Sequence, residues 1–363
     1  GMLLVDCGMF QGPREIRSRN WDPFPVPPAD VASVILSHAH LDHCGYLPAL
    51  VRDGFSGPVH CSPNTARLAA IILRDSARLQ EEDTAFARRK GFSRHAQPRP
   101  LYGTEDAEQA ISQLVPVAFG AGFTPVDGTV ARLDPAGHIL GSSITTITEE
   151  STGRVVVFSG DLGRGNHPLL APPAPPCSAS AIVIESTYGD REHEDVEAEM
   201  DQMAAAITRT LKRGGTVVIP AFAVDRTEVL LKALRTLQDQ QRIPTAPIHV
   251  DSPMALAGLR VYADAISGGD PEIGTATIAE GVRAIDLPNL HEAVTPEDSM
   301  ALDRGGARII VSASGMGSGG RVTHHLKALL PDPSTTVLLV GFQAVGTPGR
   351  LLRDGAREIK SPG

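Results

Sequence analysis

Ser37-His38-Ala39-His40-Leu41-Asp42-His43 follows directly on the apolar run Val34-Ile35-Leu36. Residues 31–37 read as a strand from their β-branched and aliphatic content, so the histidines and the aspartate sit on the loop leaving it. Four metal-competent side chains in so short a loop are costly to keep together without a cation. Protonated imidazoles repel one another, and ordering the loop costs conformational entropy. One His-x-His pair arises easily by chance. The full His-x-His-x-Asp-His pattern after a strand points to a two-metal hydrolase centre, because imidazole and carboxylate are the donors zinc prefers.

Two segments further along supply similar chemistry. Ala136-Gly137-His138-Ile139-Leu140-Gly141-Ser142 places a lone histidine in a Gly-flanked loop, and Ser159-Gly160-Asp161-Leu162-Gly163 places a lone aspartate at a strand end. Each alone is more often a hydrogen-bonded loop residue; beside residues 38–43 both become candidate ligands. His38, His40 and His138 can form one tetrahedral site with a position left for water, Asp42 and His43 can face a second metal, and Asp161 can bridge the two. Zinc suits this set, with manganese or iron as alternatives. Asp6 ends an earlier strand, and it is expected to accept a ring N–H from a ligand histidine and fix its tautomer. Two metals about 3.5–4 Å apart make hydroxide available near neutral pH and stabilise charge on an attacked phosphorus.

The 363 residues, 42% hydrophobic and 21% charged, have ordinary globular composition and predict about two domains. A net charge of −9 argues against a wholly basic surface for duplex nucleic acid, while leaving room for a local basic cleft. Cys7, Cys44, Cys61 and Cys177 show no Cys-x-x-Cys spacing and read as free thiols in a cytoplasmic protein. Cys44 reads as a small buried residue on the next helical turn. No secretory leader pattern and no stretch of about 18 apolar residues appears, so no membrane partner is expected.

The chain opens within a strand, Met2-Leu3-Leu4-Val5, and closes on Lys360-Ser361-Pro362-Gly363, which reads as part of a longer protein truncated at both ends. A short helix is predicted over 45–51, a strand over 58–61 and a long helix from Pro63 to about Arg89, with Ser62 as its N-cap. The basic segment Arg88-Arg89-Lys90, with Arg94 and His95, reads first as cations at a helix C-terminus. Residues 128–158 alternate in hydrophobicity, as consecutive strands do. Predicted strands at 181–185, 216–221, 247–251, 308–312 and 335–341 then alternate with helices at 196–213, 226–241, 255–268 and 321–330. That alternation implies a parallel α/β sheet with ligand-facing loops at the strands' carboxyl ends.

Taken together, Asp6, the 38–43 loop, His138 and Asp161 resemble the successive motifs of the metallo-β-lactamase fold. Glu185-Ser186-Thr187-Tyr188-Gly189-Asp190-Arg191 resembles the first hallmark of the β-CASP nucleases. Pro220-Ala221-Phe222-Ala223-Val224-Asp225-Arg226, Asp251-Ser252-Pro253-Met254-Ala255 and Ser312-Ala313-Ser314-Gly315-Met316 resemble further β-CASP signatures, in the family's order. The nearest type is the prokaryotic RNA-processing branch. The resemblance implies an α/β protein, an αββα metallo-β-lactamase sandwich with an inserted parallel α/β β-CASP domain. The expected limits are 1–180 for most of the first, 181–350 for the second, and 351–363 for the return to the first.

It also implies hydrolysis of RNA phosphodiester bonds with two Zn²⁺ per complete site, single-stranded RNA as partner, and a homodimer as one assembly. The metal ligands are then His38, His40, Asp42, His43, His138 and Asp161, and the catalytic carboxylates Asp42, Glu185 and Asp6. Substrate contacts fall to Arg226, Ser314, Gly315 and Arg321, since loop N–H groups at a helix start suit phosphate. Without the resemblance, Glu185 reads as a strand-end residue capping the next turn. The family pattern continues with a Ser-Ala-His-Ala-Asp-like segment and a strand ending Val-His-Gly. Neither occurs before Gly363, and neither His193, His324 nor His325 replaces them, so the first metal is expected to be held better than the second. Three other functions share this pattern: a β-CASP nuclease acting on DNA, a small-molecule hydrolase such as a thioesterase, and a non-catalytic RNA-binding scaffold. The long insertion disfavours the thioesterase, and the intact 38–43 loop disfavours the scaffold.

Overall fold

A computed structural model describes residues 1–12, 14–90, 98–190, 196–304 and 306–359. Two compact units divide the chain, Gly1–Gly189 and Asp190–Gly363. Arg94, His95, Arg191 and His193 lie outside the described residues.

The first unit holds two sheets. Strands β1 (Met2–Val5), β2 (Val31–Ile35), β3 (Val59–Cys61) and β4 (Leu114–Pro116) form a parallel sheet in that order. Strands β5 (Gly122–Phe123), β6 (Thr129–Pro135), β7 (Ser143–Glu149), β8 (Val155–Phe158) and β9 (Ala181–Val183) form the second, antiparallel except for the β8–β9 pair. Ile35, Ala131 and Leu133 pack with Leu3, Phe123 and Ile147 between the sheets. Helices cover the other face of the first sheet, giving the helix, sheet and sheet layers of the expected sandwich. Helix Pro63–Lys90 starts where Ser62 Oγ accepts the Thr65 N–H at 3.1 Å. It buries Leu68, Ile72, Leu73, Ser76 and Ala77, the three-to-four spacing of a single apolar stripe.

The second unit is a five-stranded parallel sheet in the order β12 (Leu290–Glu292), β11 (Ile248–Asp251), β13 (Arg308–Ser312), β10 (Thr216–Pro220) and β14 (Thr336–Val337). Every residue of β10 is buried, as expected of a parallel strand covered on both faces. The register sets Pro220 and Asp251 each beside Ser312, so the carboxyl ends of three strands align.

Strand 181–183, expected among these parallel strands, pairs instead with β8 at the edge of the first unit's second sheet. Its apolar run fits either location, and only the pairing decides. Strand β12 escaped prediction because it is short and two of its three residues are exposed. Among the described residues no helix is long and apolar enough to cross a membrane. All four cysteines are free, and Cys44 is buried with its Sγ on the Ala39 carbonyl.

Candidate metal centre

Close backbone approaches hold four loops of the first unit together. Gly8, just after β1, lies against the 42–43 peptide, where a Cβ would fall 1.5 Å from the Asp42 carbonyl oxygen. The neighbouring amides fasten the same contact, Cys7 to the His43 carbonyl at 2.7 Å and Met9 to the Leu41 carbonyl at 2.8 Å. Gly163 likewise allows the Asp161 loop to meet the His138 loop, since a Cβ there would fall 1.7 Å from the Gly137 oxygen. Ser142 closes the His138 loop by accepting the His138 N–H at 2.9 Å, and the Ser143 amide donates to the Ser37 carbonyl at 2.8 Å.

The side chains converge accordingly. His40 Nδ1 lies 3.0 Å from His38 Nε2 and 3.3 Å from His138 Nε2. Asp161 Oδ2 is 3.4 Å from His138 Nε2 and 3.7 Å from His38 Nε2, and all four atoms lie within 4.8 Å of one another. The other oxygen of Asp161, Oδ1, faces His43 Nε2 at 3.3 Å. His43 Nδ1 is bonded to Asp6 Oδ2 at 2.7 Å.

Asp6 and Ser37 fix which nitrogens carry protons. The Ser37 hydroxyl donates to Asp6 Oδ2 at 2.8 Å and its amide donates to Oδ1 at 2.7 Å. With its proton so placed, Ser37 Oγ can only accept from His38 Nδ1 at 3.0 Å. His38 therefore carries its proton on Nδ1 and presents a lone pair at Nε2; the same logic protonates Nδ1 of His43. Asp6 adopts a φ of +61°, a conformation that a short polar side chain tolerates better than most.

The electrostatics follow. Complete burial, then the neighbouring His40, His43 and His138, hold His38 well below the ordinary histidine value, so it is neutral. Burial also works against charge on His43, but its bonds to Asp161 and Asp6 outweigh this and push it up to about 10. Burial alone would raise Asp161; the facing imidazoles, His43 foremost, bring it below the usual carboxylate range.

The donor set fits a zinc-sized cation. Metal–ligand bonds of about 2.0–2.1 Å in a tetrahedron imply ligand atoms about 3.3 Å apart, close to the four separations found here. His38 Nε2 offers a lone pair inward, and His40 and His138 do so too when their protons sit on the outer ring nitrogens.

The remaining sequence candidates are placed differently. Asp42 is exposed on the turn Leu41–Cys44 and lies outside the four-residue cluster. Glu185 accepts the Leu162 N–H at 2.9 Å and the Thr187 N–H at 3.2 Å, so it both caps the following turn and holds the backbone beside Asp161. In the second unit, Arg226 begins helix Arg226–Asp239 at the carboxyl end of β10, with no ion pair or hydrogen bond from its side chain among the described residues. Ser314 Oγ accepts the Ser318 N–H at 3.1 Å, and the amides of Ser314 and Gly317 also bond within the loop. Gly315 packs under Phe222, where a Cβ would meet the ring at 2.9 Å. Arg321 is engaged inside the unit by Asp251 Oδ1 at 2.6 Å and the carbonyls of Ala293 and Val294.

Two features went unread in the sequence. Ser37 is visible only as the residue before the first histidine, and its role needs Asp6 beside it. His325 lies between Asp251 and Asp303, at 2.6 and 2.7 Å, with no exposure at all.

The pattern of the metallo-beta-lactamase superfamily matches residues 1–239, and that of the Beta-Casp domain matches residues 227–352. "Ribonuclease TTHA0252" of Thermus thermophilus is 36% identical over 95% of this chain and 74% of its own length. Two archaeal proteins named "Transcription termination factor FttA", from Methanocaldococcus jannaschii and a Lokiarchaeum species, are 30% and 31% identical over 98% of this chain. The chain spans only 55% and 54% of their lengths. The convergent histidines, the two sheets that carry them and these matches place the chain in the metallo-β-lactamase superfamily, in the branch that carries a Beta-Casp domain.

Proposed function

We propose that this protein is a zinc-dependent ribonuclease that hydrolyses phosphodiester bonds of single-stranded RNA in RNA processing. The observation that carries the reading is the meeting of His38 Nε2, His40 Nδ1, His138 Nε2 and Asp161 Oδ2 in one place, at the spacing of the ligands of a tetrahedral cation. The name of the Thermus relative supports RNA as the substrate. The four free thiols support a cytoplasmic setting.

In this reading the three imidazoles hold one metal, while Asp161 turns its second oxygen towards His43 and a second metal. Bound there, the metals would supply an activated water and a positive field for the phosphate oxygens. The chain's own residues do the orienting. Asp6 keeps the proton of His43 on Nδ1, Ser37 does the same for His38, and Glu185 holds the Leu162 amide and with it the loop of Asp161. Such outer partners typically change metal affinity or activity by about 10- to 100-fold when removed. Arg226, whose guanidinium has no partner among the described residues, is the proposed phosphate contact in the second unit. Arg321 is already committed to Asp251, which supports a scaffolding part for it.

The test pairs metal analysis with cleavage. The purified full-length protein should contain zinc and cut single-stranded RNA in preference to DNA of the same sequence. A metal-free protein, or equal turnover of the two strands, would overturn the zinc or the RNA assignment respectively.

A further inference from the structure

Two large aromatic side chains stand out at the carboxyl edge of the second unit's sheet. Phe222 follows β10 and is 41% exposed; Phe342 follows β14 and is 56% exposed. β10 and β14 are neighbours, paired at Val218 and Val337, and the two phenylalanines come four and five residues beyond that pair. Gly315 links the two segments, since it lies against the Phe222 ring and its carbonyl accepts from the side chain of Gln343, the residue after Phe342.

Both rings rise from anchored backbone. Gly315 passes directly beneath Phe222, close enough that any side chain there would strike the ring. Gln343, almost fully buried, donates from Nε2 to the Gly315 carbonyl at 3.1 Å and to that of Gly341 at 3.0 Å, which fixes the peptides on either side of Phe342. Leu338 and Val340, just upstream, pack into the core. The exposure of Phe342 is therefore that of a pinned loop. Arg226 stands four residues after Phe222, and among the described residues no carboxylate neutralises it.

Exposed aromatic faces with a cation close along the chain are what a single nucleic-acid strand requires. Every base has a π-face to stack, and the phosphate between two bases seeks a positive charge. A purely apolar protein partner would match the rings but would gain nothing from the guanidinium. Resting on the ribonuclease reading above, we propose that Phe222 and Phe342 form a stacking platform for consecutive bases of single-stranded RNA, with Arg226 on the phosphate that joins them. The platform reads bases only by their faces, so it would grip RNA of any sequence.

Equilibrium binding of an end-labelled RNA strand of about 12 nucleotides tests this in full-length protein carrying His40→Ala, which prevents cleavage. Phe222→Leu and Phe342→Leu keep apolar bulk but lose the π-face, and each should weaken binding by at least about fivefold. Phe222→Trp and Phe342→Trp should bind within about twofold of the parent, because a larger π-face is retained. RNA with abasic sites in place of its bases should bind the parent as weakly as the intact strand binds the double Leu variant. If the Leu variants bind as the parent does, or if Leu and Trp weaken binding alike with circular dichroism unchanged, the platform is refuted while the ribonuclease reading stands. If the parent binds no RNA and wild type cuts none, the ribonuclease reading itself falls and takes the platform with it.

Discussion

Each unit of this molecule holds one histidine between two carboxylates, and the two settings have opposite consequences. In the second unit His325 donates from Nε2 to Asp251 and from Nδ1 to Asp303. The rest of Asp251 is answered by the guanidinium of Arg321 at 2.6 Å and the hydroxyl of Ser299 at 2.5 Å. Both carboxylate oxygens of Asp251 and both ring nitrogens of His325 have a hydrogen-bond partner. In the first unit His43 lies between Asp6 and Asp161, but Asp161 also faces His138 and His38, and the inward Nε2 of His38 brings a lone pair and no proton. A buried cluster with matched donors and acceptors is scaffold; one with a surplus of lone pairs calls for a cation.

The strongest way to break this contrast is to remove one ligand from each side. His40→Ala should abolish bound zinc at the first site and lower RNA hydrolysis by more than about 100-fold, since a ligand counts for more than its outer partners. Unfolding by urea should shift little, because His40 supplies no core packing. Metal analysis and cleavage assays check the first statement and circular dichroism the second. Retained zinc or turnover would end the ligand assignment. His325→Ala should do the reverse. It leaves Asp251 buried without one of its partners, and removing one member of such a buried pair costs about 3 kcal/mol or more. Zinc content in the folded protein should stay at the wild-type level. Loss of metal in that variant, with the fold intact, would erase the distinction between the two clusters.

How much of this was legible in the chain follows from the range of the interactions. The 38–43 loop declares itself because four chemically dense residues are adjacent, and His138 and Asp161 gain meaning from it. The long helix from Pro63 was readable because its N-cap and apolar spacing are local. The His325 network was not, since its partners are 74 and 22 residues away and each is common in isolation. Arg321 read as a phosphate contact for the same reason, as its 70-residue link to Asp251 leaves no trace in composition. The spacing puts Asp42 among the ligands of the second metal, and in the structure it lies on the turn Leu41–Cys44 with its side chain exposed, outside the cluster of His38, His40, His138 and Asp161. Strand 181–183 was readable as a strand but not as a member of its sheet, because pairing partners are a tertiary choice.

A milder change sharpens the comparison from the side of the outer partners. Asp6→Asn keeps a residue that accepts the left-handed backbone at this position, yet removes the charge that holds the His43 and Ser37 protons. Zinc affinity, measured by competition with a chelator, should fall by about 10- to 100-fold, with hydrolysis following it. Ser37→Ala should fall at the lower end of that range, since it disturbs the tautomer of His38 but leaves the Asp6–His43 bond. Unchanged affinity in both variants would mean that the histidines need no tautomer control.

The smallest effect is the pH dependence contributed by the second unit's network. Burial opposes charge on His325, but its bonds to Asp251 and Asp303 win, and its folded pKa lies above the ordinary 6.5. Such a group contributes stability that is fully present below the unfolded pKa and is lost as pH rises through the folded value. Asp251 moves the other way. Burial would raise it, but His325, Ser299 and Arg321 bring it below 3.8, so its contribution is present above that value and is lost as pH falls through the folded pKa. The network therefore stabilises most between about pH 4 and 6.5, and above that range stability should decline by at most about 1.4 kcal/mol per pH unit for the single proton released. His325→Gln removes the titrating group and should flatten this alkaline limb in urea unfolding measured at successive pH values. If the variant and the wild type decline in parallel, His325 is neutral in the folded protein, and the ion network described for the second unit is instead a set of neutral hydrogen bonds.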